Sequence, residues 1–309
     1  MKYHAISFIY SYQCSNECSI CCFKCSPYQK ERLDYTVVNN VIKNLPDEIR
    51  VIGITGGECF LFYDEIKKIL QVIKQQNLQS TLTTNCYWAT NDSIVRERLN
   101  ELKQYNLRSI KISIDEYHMQ HIPIENVKRF LRIGKEIGIK IVVGCTVLKN
   151  SKKMSEILKA FDDEMVSIHF VQHYCYPLGN AKKIASEYFY KYENIFTDCF
   201  DGGSLIVSPN GVAYPCGSMC SMIPSRRIGN IYNDSIRKII EKAEQDKINN
   251  FLYYNGTRNL VKHMRKRYPE IQNKQFVDGC HACYEIMKTY SAEQLLEIIK
   301  EIEGEEENV

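Results

Sequence analysis

Cys14-Ser15-Asn16-Glu17-Cys18-Ser19-Ile20-Cys21 is the stretch with the clearest chemistry. It reads C-x3-C-x-Φ-C, with Ile20 as the hydrophobic residue before the last cysteine. Soft thiolates are the ligands that iron–sulfur clusters take. Three of them, closely spaced, can hold three irons of a [4Fe–4S] cube. The motif has no fourth cysteine at that spacing, so one iron stays open to an outside ligand, as a catalytic cluster requires. Cys18-x3-Cys22-x2-Cys25 fits the same spacing. The first register is preferred, because position 24 is Lys rather than hydrophobic and Cys14 follows an apolar run, Ala5 to Tyr12. Cys22 and Cys25 are then extras. A plainer reading is a zinc knot, since zinc sites also use C-x2-C pairs.

Other marked residues recur after strand-like stretches. Gly53-Ile54-Thr55-Gly56-Gly57-Glu58-Cys59-Phe60-Leu61 is either a glycine-rich turn into a helix or a place where backbone comes close to a ligand, since glycine accepts φ > 0 and close approach. Asn85, in Thr83-Thr84-Asn85-Cys86-Tyr87-Trp88, could bond a ligand or form an Asx turn. Ser113 and Asp115 flank Ile114 and so share one side of a strand. Glu116 and His118 follow in a polar loop, where His118 is as easily structural as a base or donor.

These residues need a frame, and the chain supplies an alternating one. Ala5–Tyr12, Arg50–Thr55, Ser80–Thr84, Ser109–Ile114, Lys140–Val147 and Met165–Val171 read as strands. Val37–Asn44, Tyr63–Gln75, Asp92–Tyr105, Ile124–Ile137 and Met154–Phe161 read as helices. Ile66, Ile69, Leu70 and Ile73 follow i, i+3, i+4, i+7. Such alternation implies parallel strands with right-handed crossovers and sites at the strands' carboxyl ends. Six units fall short of a full eightfold barrel.

Past Pro177-Leu178-Gly179-Asn180, read as a turn closing the barrel, the pattern changes. Ser208-Pro209-Asn210-Gly211 between Ser204–Val207 and Val212–Cys216 is a hairpin signal. Cys199, Cys216, Cys280 and Cys283 make a plausible four-thiolate site. Cys220 could replace one of the four, pack as a small hydrophobe, or be a free thiol near the active site. Ser235–Asp246, Ile248–Tyr268 and Ala292–Glu303 read as helices. Lys262 to Arg267 is a basic run, normally a solvated face and otherwise a receiver of an acidic peptide; Glu301–Glu307 is an acidic, frayed tail. The residues before the first strand are too few for a separate winged-helix peptide-recognition domain.

Bulk properties agree with a globular enzyme. The chain has 309 residues and a net charge of +3, so nothing demands a nucleic-acid partner. No apolar run is long enough to span a bilayer, and the first residues are too polar for a secretion signal, so a cytoplasmic location is expected. Fourteen cysteines in such a chain argue for metal or redox chemistry over disulfides.

C-x3-C-x2-C followed by Gly56-Gly57-Glu58 at the next strand end resembles the radical S-adenosylmethionine (SAM) superfamily. The resemblance implies an α/β fold, a partial (β/α)6 TIM-type barrel over 1–178. It implies a [4Fe–4S] cluster on Cys14, Cys18 and Cys21, with SAM on its open iron. Gly56, Gly57, Glu58, Asn85, Ser113 and Asp115 are then the SAM-binding candidates. Cys199-x11-Gly211-x4-Cys216 resembles the opening of SPASM and twitch domains. It implies a small C-terminal domain over 179–309 with an auxiliary [4Fe–4S] cluster on Cys199, Cys216, Cys280 and Cys283. Cys21-Cys22-Phe23-Lys24-Cys25-Ser26-Pro27, Asn85-x-Tyr87-Trp88, Asp115-Glu116-Tyr117-His118, Tyr214-Pro215-Cys216 and Cys280-x2-Cys283 resemble the YydG-type radical SAM peptide epimerases.

That group implies a ribosomal precursor peptide as substrate and an external electron donor of flavodoxin or ferredoxin type. A 5′-deoxyadenosyl radical removes a Cα hydrogen from an L-residue, and a thiol returns hydrogen to the opposite face. In the group the donor follows the ligand matched by Cys216, but here that position is Gly217. Cys220 is the substitute expected. The alternatives are thioether or carbon cross-linking of a peptide, modification of a small molecule, or a non-catalytic zinc-binding protein.

Overall fold

The computed structural model describes residues 1–161, 168–195, 199 and 202–306. Among the described residues nine strands form one sheet: β1 (Ala5–Ile9), β2 (Val51–Thr55), β3 (Gln79–Thr84), β4 (Leu107–Ser113), β5 (Ile141–Val147), β6 (His169–Tyr174), β7 (Ser204–Val207), β8 (Val212–Tyr214) and β9 (Gly229–Asn230). Their order is β6-β5-β4-β3-β2-β1-β7-β8-β9. The first six are parallel and adjacent in chain order, the arrangement of a partial (β/α)6 barrel.

The helices of the front part are α1 (Tyr35–Lys43), α2 (Tyr63–Gln75), α3 (Asp92–Lys103), α4 (Glu116–Met119), α5 (Ile124–Ile137) and α6 (Met154–Leu158). Local chemistry sets their ends. Asp34 caps α1 through Thr36 N, and Asn91 caps α3 through Ile94 N. Gly138 ends α5 at φ 82°, a left-handed C-cap that glycine adopts without strain. Ile66, Ile69, Leu70 and Ile73 of α2 are buried, as their spacing predicts. They share one core with Ile6 and Phe8 of β1, Ile52 and Ile54 of β2, and Ile110 and Ile112 of β4. Alternate positions on the opposite face of these strands remain open for chemistry.

β7 adds to the free side of β1, parallel to it, with Ala5 opposite Ser204 and Phe8 opposite Val207. β8 and β9 follow antiparallel. The expected turn is there: Gly211 sits at φ 80° and its N–H donates to Ser208 O at 2.9 Å. The sheet therefore runs on past residue 178. A second core does not. It gathers Leu178, Phe251, Leu260, Met264, Ile286 and Ile298, with most members on α8 (Lys247–Arg267), α9 (Gly279–Thr289) and α10 (Ala292–Glu306), reached after α7 (Ile236–Gln245).

The strand expected over Met165–Val171 is observed as β6, displaced toward Tyr174; residues 162–167 lie outside the described residues. Two helices were not expected. α4 is a single turn capped by Asp115, and α9 carries Cys280 and Cys283. No helix among the described residues is long and apolar enough to cross a membrane.

Candidate active site and auxiliary cysteine cavity

The carboxyl ends of β2 to β5 open onto a cavity of about 240 Å³. Thr55, Thr83, Lys111, Ser113 and Thr146 line it from the sheet. Cys14, Cys18 and Cys21 line it from the loop after β1, with Cys22 and Cys25. The loop is pinned on several sides. Cys14 N–H donates to Ser26 O at 3.1 Å and Cys21 N–H to Cys18 O at 3.1 Å. Asn180 N–H donates to Cys21 O at 2.8 Å, and its Nδ2 to Cys18 O at 3.1 Å. Gly179 makes that clamp possible: it sits at φ 56°, and a Cβ there would meet Cys21 O at 2.3 Å. The Leu178–Asn180 turn, read from sequence only as a barrel terminus, thus holds the cysteine loop.

Cys14, Cys18 and Cys21, and equally Cys18, Cys22 and Cys25, share this one wall. Burial pushes the Cys14 and Cys18 thiols up to about 12. The Cys25 thiol hydrogen-bonds Cys21 and draws its sulfur toward the thiolate. Buried thiols at such density are poor thiolates until a cationic metal centre supplies opposite charge. Asn16, also on the wall, buries its side-chain amide beside Cys18. A crowded thiol set with an amide donor beside it fits an iron–sulfur cluster.

The glycine pair packs backbone to backbone against the start of the cysteine loop. Gly57 N–H donates to Ser11 O at 2.7 Å. A Cβ on Gly57 would lie 2.1 Å from Gln13 O, and Gly56 sits at φ 148° with Ser11 O 2.5 Å from its Cβ position. Both line the cavity. So does Asn85, which forms the Asx turn considered for it. Its Oδ1 accepts from Tyr87 N at 3.0 Å as an Asx turn, while Nδ2 donates to Ser15 Oγ at 2.9 Å beside Cys14. Ser113 and His118 are also on the wall.

Glu58 and Asp115 are placed otherwise than the sequence reading expects. Glu58 is fully buried and off the cavity wall. It accepts from Phe60 N at 3.0 Å, Thr84 Oγ1 at 2.9 Å and Asn85 N at 2.7 Å. Burial raises its pKa to about 7 against those donors. Asp115 is likewise buried. It caps α4 through Tyr117 N and His118 N, bonds His118 Nδ1 at 2.8 Å and takes Thr146 N at 3.3 Å. Both carboxylates are bonded to backbone and side-chain donors, and through these they position Asn85 and His118. Sequence reasoning also passed over Lys111, which lies 3.1 Å from His173 Nε2. The signal was a lysine at a position of the β4 pattern where a side chain should face the barrel interior.

Cys199, Cys216, Cys220, Cys280 and Cys283 line a second cavity with Thr257 and Arg226. Asp278 caps α9 through His281 N, which sets Cys280 and Cys283 in its first turns. Ser218 N–H points at Cys216 Sγ at 3.4 Å, and Thr257 Oγ1 lies 3.4 Å from Cys283 Sγ. Arg226, ion-paired with Asp246 at 2.9 Å, adds a buried cation. Donors to sulfur and a cation beside a thiolate set fit a second iron–sulfur cluster. Cys220 is buried here and does not line the front cavity; its neighbour Met219 does.

One set of thiols at the mouth of a partial barrel and a second set on another cavity wall are the ligands that two iron–sulfur clusters would take. The model of the radical SAM superfamily matches residues 8–163, and that of the SPASM iron–sulfur cluster-binding domain matches residues 199–284. The chain belongs to the radical SAM superfamily. It is an enzyme that uses SAM and a [4Fe–4S] cluster, with an auxiliary iron–sulfur cluster in the SPASM region. It is 26% identical over 242 residues to YydG of Bacillus subtilis (strain 168), named for peptide biosynthesis, covering 76% of this chain and 75% of that protein. The structure of anSMEcpe with bound AdoMet superposes with TM-score 0.60 at 16% identity, covering 79% of each chain. Streptococcus suis SuiB bound to its precursor peptide SuiA gives 0.55 at 12%, covering 82% of this chain and 65% of that one.

Proposed function

We propose that this enzyme modifies a ribosomally synthesised peptide, and that the modification is L-to-D epimerisation at Cα. The observation that carries the reading is a surplus thiol, Cys22, on the wall of the front cavity. The similarity to a peptide-biosynthesis protein and to a fold seen holding a precursor peptide supports the substrate class. Residues 1–178 form the catalytic barrel in this proposal and 179–309 the auxiliary-cluster part. Cys14, Cys18 and Cys21 hold the first cluster; Cys199, Cys216, Cys280 and Cys283 hold the second.

When bound, cluster and SAM supply hydrogen-atom abstraction, with methionine and 5′-deoxyadenosine as by-products. The protein supplies the rest. Gly56 and Gly57 present backbone to SAM, and Asn85 and Ser113 give it side-chain partners. Glu58 fixes Asn85 through its backbone N–H. The barrel mouth excludes water from the substrate carbon.

Cys22 then returns hydrogen. Its S–H bond breaks, a Cα–H bond forms on the face opposite the one abstracted, and a thiyl remains. One electron from a flavodoxin- or ferredoxin-class donor and one proton from solvent restore the thiol. Cys22 takes this role in place of Cys220, since Cys22 lines the front cavity and also packs against the second core with Met219. Cys220 becomes a fifth thiol of the auxiliary site. That fifth thiol favours a second reading, in which the auxiliary cluster accepts the substrate's electron and a cross-link forms.

Mass spectrometry of the reacted peptide in D2O decides. Epimerisation adds about one mass unit per site, whereas a cross-link loses two hydrogens. Cys22→Ala should abolish D-residue formation at least a hundredfold while SAM is still cleaved, and Cys220→Ala should spare it. D-residues made at the wild-type rate by Cys22→Ala would refute the donor assignment.

A further inference from the structure

One short stretch, Tyr176 to Lys182, bonds to both thiol-bearing elements. In its middle, Asn180 donates to Cys21 O at 2.8 Å and to Cys18 O at 3.1 Å. Gly179 beside it lies so close to the cysteine loop that a Cβ there would meet Cys22 O at 2.4 Å. At its start, the Tyr176 phenol donates to Asp278 Oδ2 at 2.6 Å. Asp278 Oδ1 in turn accepts from His281 N at 3.0 Å, the cap that starts α9 around Cys280 and Cys283. At its end, Lys182 Nζ donates to Tyr284 Oη at 3.2 Å, one residue past Cys283. Between these ties the backbone is braced. Leu178 N–H donates to Tyr176 O at 2.7 Å, Ala181 N–H donates to Leu178 O at 3.0 Å, and a 3-10 turn runs over Gly179–Lys183. The Tyr176 ring stacks on that of His281, with centroids 6.3 Å apart. Tyr176, Cys22, Cys280 and Cys283 all pack against the second core.

We propose that Tyr176 and Lys182 are positioning residues for the SAM site. They tie the Asn180 turn to α9, so the helix that carries two auxiliary thiols also fixes where the front cysteine loop sits. The loop depends on such an anchor, because its thiols must converge on one cluster and a shift of either carbonyl moves the cysteine that bears it. Asn180 takes the carbonyls of two of the three ligating cysteines, Cys18 and Cys21. A phenol donating to a carboxylate at 2.6 Å is a charge-assisted bond, so Tyr176–Asp278 is the firmer tie. Lys182 reaches Tyr284 from the end of a flexible stem and adds the weaker one. The inference rests on the cluster ligands proposed above, and it adds that this stretch joins the two sites.

The test is hydrogen–deuterium exchange of the anaerobic, cluster-loaded enzyme, read by mass spectrometry beside SAM-cleavage kinetics. Tyr176→Phe with Lys182→Met should speed exchange over residues 14–25 at least threefold. It should also raise the SAM KM at least threefold with kcat within twofold. Asp278→Asn keeps the α9 cap but offers Tyr176 no carboxylate, and should move both readouts the same way. Lys274→Met breaks an ion pair with Glu285 of α9 away from this stretch, and should leave both within twofold. Unchanged exchange over 14–25 in the double variant overturns the proposal. The same acceleration in Lys274→Met also overturns it, since any loosening of α9 would then suffice. Exchange needs no turnover, so it judges the tie by itself. A wild type that releases no methionine would count against the cluster assignment instead.

Discussion

At the scale of single residues, burial decides which charged groups can act. Cys14, Cys18 and Cys21 were legible because their spacing alone brings three thiols to one loop. The bonds of Glu58 and Asp115 were not legible, because a sequence shows that a carboxylate is present, not where its acceptors are needed. Each lies beside backbone N–H groups at a helix or 3-10 start, and each is bonded there. Asp115 also governs His118. Burial works against the charged imidazole, but Asp115 outweighs it and raises the His118 pKa. The native state therefore holds this proton more tightly than the unfolded chain. That stabilisation is complete below the ordinary histidine value of 6.5 and is lost as pH rises through the raised pKa. Asp115→Asn keeps the cap, since asparagine caps as well as aspartate. It should lower the His118 pKa and shrink the difference in melting temperature between about pH 6 and about pH 9. An unchanged difference would remove Asp115 as its cause.

At the scale of elements, periodicity carried α2 and α5 to their observed ends, because each has a continuous apolar stripe with clear punctuation. It failed for α9, where Cys280, His281 and Cys283 interrupt the apolar pattern and read as ligands instead of helix. The usable signal was Asp278, an N-cap at the right distance. The clamp by Asn180 was invisible for a different reason: it joins residues far apart in the chain. The approach of the β2 loop to the cysteine loop is the tightest constraint on the site. Gly57→Ala would put a methyl 2.1 Å from Gln13 O and 2.5 Å from its carbonyl carbon, both backbone atoms that cannot swing aside. The substitution should cost about 1–3 kcal/mol. It should slow SAM cleavage at least tenfold and leave the auxiliary cluster's spectroscopic signature in place. Cleavage at the wild-type rate would show that the two loops are not coupled.

At the scale of the molecule, one cysteine-lined cavity lies on the sheet and a second lies among the loops and helices that follow it. The front cavity opens at the carboxyl ends of β2 to β5, where parallel sheets place their ligands. The rear cavity is lined by the loop after β8 and by α8 and α9. Met219 lines one and Cys220 the other, so neighbouring residues link the two sites. The barrel was legible in the strand–helix alternation. The pairing of β7 with β1 was not, since it joins residues far apart in the chain with no local pattern to announce it. The account's central claim is that Cys14, Cys18 and Cys21 present a cluster with one open iron to SAM. Anaerobic protein reconstituted with iron and sulfide, reduced with dithionite and given SAM, tests it by quantifying methionine and 5′-deoxyadenosine. Wild type should release both in equal amounts, and Cys18→Ala should lose at least a hundredfold. No release from wild type, or undiminished release from Cys18→Ala, would contradict the claim.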